Sequence, residues 1–170
     1  GGVVEMKVAS GLTHPSEASL SATAGVDDRK GVGTSATAEV PFSTAGGTGT
    51  LRVGAAFRDT PGIPLPGGLQ EPVPVKHDLR LNTDARNLSG FVAARHVMNG
   101  GMWTSLAASA FQAERGIAGE LDAEEPRLWR YPDVKRAIVA ISGGTGDRAT
   151  PWGPGDLEAS VGVDVGHSEI

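Results

Sequence analysis

Met102-Trp103-Thr104-Ser105-Leu106-Ala107-Ala108-Ser109-Ala110-Phe111 opens the stretch whose period decides the fold class. It continues through Glu114-Arg115-Gly116-Ile117 and Pro126-Arg127-Leu128-Trp129-Arg130-Tyr131-Pro132 to Arg136-Ala137-Ile138-Val139-Ala140-Ile141-Ser142. In the first run Trp103, Ser105, Ala107, Ser109 and Phe111 share one side, and Met102, Thr104, Leu106, Ala108 and Ala110 share the other, because strand side chains alternate with period two. In the last run Ala137, Val139 and Ile141 oppose Arg136, Ile138, Ala140 and Ser142. Each run is about ten residues, the length a tilted strand needs to cross the hydrocarbon of a bilayer. The polar segment from Glu114 to Asp133 is expected to be a long loop between the two strands. Pro126 and Pro132 interrupt its only helix-friendly portion, Ala118 to Glu125.

The same alternation recurs on both sides of this stretch. Leu20, Ala22, Ala24 and Val26 alternate with Ser19, Ser21, Thr23 and Gly25, and an Asp27-Asp28-Arg29-Lys30-Gly31 turn leads to Ala36, Ala38, Val40 and Phe42 against Ser35, Thr37 and Glu39, a hairpin signature. Past the Gly-rich segment from Ser43 to Gly49, Leu51, Val53, Ala55 and Phe57 face away from Arg52 and Arg58. Strand character returns from Arg86 to Met98, turns at Asn99-Gly100-Gly101, and ends in Leu157, Ala159, Val161, Val163 and Val165 against acidic or small residues. Between Asp59 and Ala85 the pattern stops, and five prolines impose stiff, extended backbone.

These patterns define an all-β chain: an antiparallel up-and-down meander of about seven strands. Counting from Ser19, the links after the second and fourth strands are short or Gly-rich and those after the third and fifth are long; apart from the first link, which is short, and the sixth, Gly143 to Gly155, which is middling, this is the behaviour of a barrel with tight turns on one rim and external loops on the other. We therefore expect the strands of an up-and-down transmembrane β-barrel.

Composition narrows the alternatives. The 25 Gly and 11 Pro favour strands and turns over a helical bundle, and 39% hydrophobic residues without a long apolar run leave no helical membrane span. A net charge of −5, with 15 scattered basic residues, argues against a nucleic-acid partner. With no cysteine, neither a disulfide scaffold nor a thiolate metal site is available. Gly1 to Ser10 has neither the charged nor the apolar part of a signal peptide, so the chain is expected to be cut from something longer.

Few motifs carry chemistry. Gly144-Thr145-Gly146-Asp147-Arg148-Ala149 fits G-x-G-x-x-A, with Asp164 at the distance of a ribose-binding acid, yet a dinucleotide site needs a helix there and Pro151 and Pro154 forbid one. His14, His77, His96 and His167 lack metal-ligand spacing, and no nucleophile elbow is present. No catalytic residue, metal ligand or cofactor site is expected, and the chain is not expected to be an enzyme. Arg52, Arg58, Arg95 and Arg136 are lumen-facing candidates, since some of them lie opposite aliphatic residues; solvated arginines on the wet face of a sheet are the plainer alternative.

Three segments resemble one family. Gly1-Gly2-Val3-Val4-Glu5-Met6-Lys7 resembles the Gly-Gly-Val-Ile-Asn-Ile segment that ends the plug of TonB-dependent outer-membrane receptors. Glu114-Arg115-Gly116-Ile117-Ala118-Gly119 resembles their Glu-Arg-Gly-Ile-Pro-Gly stretch, with Ala118 in the place of proline. Pro126, Arg127, Trp129, Arg130 and Pro132 match their Pro-Arg-Tyr-Trp-Arg-Tyr-Pro loop, and all three segments agree in order and spacing. The resemblance carried by these three segments implies that residues 1–12 are the last plug strand and residues 13–170 the first part of a barrel of about 22 strands, an open, partial segment of a large transmembrane β-barrel. It further implies a Gram-negative outer membrane, lipid around the wall, and energy-coupled uptake of a scarce nutrient such as a ferric siderophore, cobalamin or a sugar. The inner-membrane TonB complex would act through parts absent from this chain. Another outer-membrane barrel, porin or autotransporter, and a secreted β-sandwich binding module are the alternatives.

Overall fold

The computed structural model describes residues 17–27, 30–65, 79–120, 123 and 125–170. The plug-strand expectation for residues 1–12, with Gly1, Gly2 and Val3, lies outside them, as do His14 and His77. The described residues form nine strands in chain order: β1 Ser19–Val26, β2 Val32–Thr44, β3 Gly47–Thr60, β4 Ala85–Met98, β5 Trp103–Gly116, β6 Arg130–Gly144, β7 Arg148–Thr150, β8 Gly153–Gly155 and β9 Glu158–Ser168. Seven form one antiparallel sheet in the order β1-β2-β3-β4-β5-β6-β9, and β7 and β8 make a small separate hairpin in the link before β9. The all-β meander therefore holds. The sheet is not closed, and β1 and β9 are its two edges.

The strands outrun their hydrophobic signal. β5 reaches Gly116 and β6 begins at Arg130, so the expected loop from Glu114 to Asp133 shrinks to 117–129. Alternation in polarity fades where both sides meet water, while the backbone ladder carries on. Pro132 enters β6 at an irregularity: Ala113 pairs with Val134 and Arg115 with Tyr131, leaving one β5 residue against two on β6. A bulge is where a strand tolerates a residue without an N–H. Pro41 is accommodated otherwise, because β1 pairs with β2 only as far as Glu39 and its outer side has no ladder to supply.

The turns follow their sequence signals. Between β1 and β2, Lys30 has φ 60°, the Asp27 N–H donates to the Gly31 carbonyl at 2.9 Å, and the Gly31 N–H donates to Asp27 Oδ1 at 2.8 Å. Residues 45–46 alone join β2 to β3, and residues 99–102 join β4 to β5. At the opposite end lie the links 61–84 and 117–129. These four links are sorted by rim, whereas the short link 27–31 lies at the long-loop rim and the link 145–157, which carries β7 and β8, lies at the short-turn rim.

Nothing among the described residues packs on either side of the sheet. Among the described residues no hydrophobic side chain is buried; Leu20 is 78% exposed and Val163 is 62% exposed. The two stacked sheets of a β-sandwich are not what the described residues form.

Candidate functional site: two faces and a tied rim

Directly paired residues on neighbouring strands point to the same side, so register sorts every strand position onto one of two faces. One row runs Leu20, Ala38, Val53, Val92, Ala108, Val139, Val163 across all seven strands. The rows on either side, Ala36, Ala55, Gly90, Ala110, Ala137, Val165 and Val40, Leu51, Ala94, Leu106, Ile141, Val161, are equally free of charge and of polar side chains. Charge enters this face only toward the long-loop rim, with Asp59 bound to Arg86 at 3.0 Å and Lys135 to Asp133 at 2.6 Å. Toward the short-turn rim the face closes with Phe42 and His96, whose rings stack with centroids 5.9 Å apart above Gly49. A Cβ on Gly49 would stand 2.3 Å from the Phe42 ring, so glycine is the residue that lets the two rings lie there.

The other face carries all four arginines singled out in the sequence. Arg52 pairs with Ala93, Arg58 with Asn87, Arg95 with Ser105 and Arg136 with Phe111, which are neighbours on that single side. Each of the four is held. Arg52 donates through Nη2 to Glu39 Oε1 at 2.9 Å; its Nε lies 2.8 Å from Oε2 but is turned out of hydrogen-bond alignment. Arg58 donates to Asp27 Oδ2 at 2.6 Å, and Arg136 grips both carboxylate oxygens of Asp164, its Nε at 2.8 Å from Oδ1. Arg95 differs, because its guanidinium lies over the Trp103 ring, 3.9 Å from the centroid. Asp164, the supposed ribose acid, is thus an arginine partner. The G-x-G-x-x-A segment runs into the β7–β8 hairpin, not into a helix.

The long-loop rim is tied by side chains from three distant segments, and the family-motif residues Arg115, Arg127 and Arg130 are among them. Arg130 makes a two-pronged pair with Asp84, Nη1 to Oδ1 at 2.9 Å and Nη2 to Oδ2 at 2.7 Å. That pairing holds the Asp84 carboxyl below its ordinary value of 3.8, chiefly through the hydrogen bonds from Arg130. Asn82 adopts φ 56°, a left-handed conformation that Asn tolerates, and its Nδ2 donates to the carbonyls of Ile117 at 2.8 Å and Trp129 at 2.6 Å. A Cβ on Gly116 would lie 2.4 Å from the Asn82 carbonyl oxygen, which explains glycine in Glu114-Arg115-Gly116. Arg127 folds back on Glu120, Nη2 to Oε1 at 2.7 Å and backbone N–H to Oε2 at 3.0 Å. Arg115 stands 5.1 Å above the Tyr131 ring centroid, and Arg80 reaches the Gly119 carbonyl at 2.9 Å.

Sequence reasoning missed Asn82 and Asp84 because both lie in a segment it read only as Pro-rich loop. An Asn two residues before an Asp at a strand entry is a turn signal that marks the position, though not the partners, which lie 35 to 47 residues on. Compared with protein-family models, with characterised proteins and with solved structures, the chain matches none of them.

Proposed function

We propose that this chain forms part of the wall of an outer-membrane β-barrel, of the TonB-dependent receptor type, and serves uptake of a scarce nutrient. One observation carries the reading: among the described residues a single-layer sheet presents an uncovered face with three charge-free rows across its strands, and carries Arg52, Arg58, Arg95 and Arg136 on the other. On that face of β3 the uncharged positions run from Gly49 to Phe57, about 27 Å of strand at about 3.4 Å per residue. An apolar band of about 25 Å is what a barrel wall shows to lipid. In water such a face, with free edges at β1 and β9, is a template for aggregation. In a bilayer it is the outside of a pore, and further strands complete the hydrogen bonds of both edges.

The receptor type rests on the family-like segments. Glu114-Arg115-Gly116 and Pro126 to Pro132 lie together at the long-loop rim, where Arg127 and Arg130 brace loops and Gly116 makes room for Asn82. In this reading 61–84 and 117–129 face the exterior and contribute to ligand capture, and Arg52, Arg58, Arg95 and Arg136 line the interior.

Cysteine scanning tests the wall directly, since the chain has none of its own. Single cysteines at Ala137, Val139 and Ile141 should react with lipid-soluble reagents and those at Ile138, Ala140 and Ser142 with water-soluble ones, in strict alternation. Equal access of a water-soluble reagent to both sets would sink the proposal.

A further inference from the structure

We propose that the β7–β8 hairpin is a docking knob, in which Trp152 at the tip and the carboxylates of Asp147, Asp156 and Glu158 at the base take an arginine- or lysine-rich segment of a partner protein. The proposal stands on the hairpin alone and does not need the barrel-wall reading. Thr145 and Leu157 already close the link across its mouth: the Thr145 N–H donates to the Leu157 carbonyl at 3.0 Å, and the Leu157 N–H donates to Thr145 Oγ1 at 3.0 Å. Joining β6 to β9 therefore asks nothing of residues 146–156. They nonetheless form an ordered projection at the short-turn rim, where three backbone pairs, Arg148 with Gly155, Ala149 with Pro154 and Thr150 with Gly153, leave Pro151-Trp152 as a two-residue turn. Thr150 fixes that turn, its Oγ1 donating to the Gly153 carbonyl at 2.6 Å and accepting from the Trp152 N–H at 3.2 Å. At the base Gly146, with φ 64°, abuts the 99–102 turn so closely that a Cβ would stand 2.4 Å from the Gly101 carbonyl oxygen.

Trp152 on this held tip is 93% exposed, more than any other large apolar side chain among the described residues. Protein interfaces use such aromatic side chains as anchors, because a turn ordered in advance leaves little freedom to lose on binding. Charge selects the partner. Asp147, Asp156 and Glu158 are exposed, and among the described residues none of their carboxylates is in an ion pair. The one cation beside them, Arg148, donates its Nε to the Thr145 carbonyl at 3.1 Å. Three carboxylates against one guanidinium repel an anionic lipid surface and attract a cation, to which the indole face offers a second contact. Asp156 is about 13 Å from the tip at about 3.3 Å per residue, so a basic stretch of about six extended residues reaches both.

The test titrates fluorescein-labelled hexa-arginine with the purified full protein and reads anisotropy. Binding should weaken at least about tenfold in Trp152→Ala, the loss expected of an interface anchor, while Trp152→Phe keeps most of it. The triple variant Asp147→Asn, Asp156→Asn, Glu158→Gln should lose as much, and Arg148→Gln, which removes the opposing cation, should bind more tightly. All five side chains are exposed, so none of these changes threatens the fold. No binding overturns the knob, and so does binding indifferent to Trp152→Ala, which would place the peptide elsewhere on a chain of net charge −5. Vesicles of phosphatidylglycerol are the competing probe. Hexa-arginine should shield the Trp152 emission, taken as the difference from Trp152→Phe, against acrylamide. Shielding by the vesicles and not by the peptide would make the tip a membrane anchor and overturn the proposal equally.

Discussion

The wall and the long-loop rim of this sheet are held by different chemistry. In the wall, small residues such as Ala36, Ala55, Gly90, Ala110 and Ala137 sit side by side, and order comes from the backbone ladder, which is indifferent to side-chain identity provided each face keeps its character. At the rim, Asp84, Arg130, Asn82, Glu120 and Arg127 join segments with no ladder between them, through oriented side-chain hydrogen bonds. A substitution in the wall should therefore be judged by which face it enters. One at the rim should be judged by which bond it removes.

The largest effect is expected in the wall. Val139→Arg places a cation in the middle charge-free row and, if the proposed wall faces lipid there, should cost about 2–4 kcal/mol, the penalty for a basic residue on a lipid-facing strand at the bilayer midplane. Ala140→Arg, one residue along and on the opposite face, should cost less than about 1 kcal/mol, as polar-side substitutions away from packing features do. Equilibrium unfolding by guanidinium in lipid vesicles measures both. Equal costs would erase the distinction between the two faces.

Next comes the tightest point of the rim. Gly116→Val would drive side-chain carbon into the Asn82 carbonyl and Oδ1 and should destabilise by about 1–3 kcal/mol, the usual cost of overpacking. Gly25→Ala, in β1 with nothing within 4 Å of its Cβ, should be neutral or stabilise by about 0.5 kcal/mol. The same unfolding experiment reads the pair. A harmless Gly116→Val would mean that Asn82 does not hold the loop ends as described.

Much of the wall and little of the rim was legible in the sequence. Period two was enough to place Leu20, Val53, Ala108, Val139 and Val163 on apolar faces of their strands, and the register joins all five in one row. Alternation survives in the chain because it reports a local preference, whichever strand comes next. The rim could not be read that way. Arg130 stands out as charged within an aromatic motif, but nothing local points to Asp84, whose approach depends on how 61–84 returns to the sheet. The strand ends at Glu114 to Gly116 and Arg130 to Pro132 were lost for a related reason: they lie beyond the apolar rows, where both faces are polar and period two has no contrast to show.

A smaller effect separates the rim's central pair from an ordinary surface ion pair. Arg130 and Asp84 remain 39% and 44% exposed, so solvent screening limits their coupling to about 0.5–1 kcal/mol even with two-pronged geometry. A double-mutant cycle with Arg130→Gln and Asp84→Asn should return that value. Coupling indistinguishable from zero would leave Asn82 as the main tie between the loops.

The smallest effect is a titration. Glu120 has its carboxyl pulled from 4.5 to about 2, first by a hydrogen bond from its own backbone N–H and then by the side chain and N–H of Arg127. A depressed carboxyl favours the ionised fold, so its contribution is present above about pH 4.5, weakens as pH falls, and is gone below about pH 2. Because the group is solvent-exposed, the change should be visible in its own resonance and not in global stability. Carbon NMR of the Glu120 carboxyl should show a midpoint near 2, and Arg127→Gln should raise it only part of the way to 4.5, since the backbone donor named first remains in place. A midpoint at the ordinary glutamate value in the unsubstituted protein would show that the 117–129 loop does not fold back on itself, and that only the ties through Asn82 and Arg130 hold its ends.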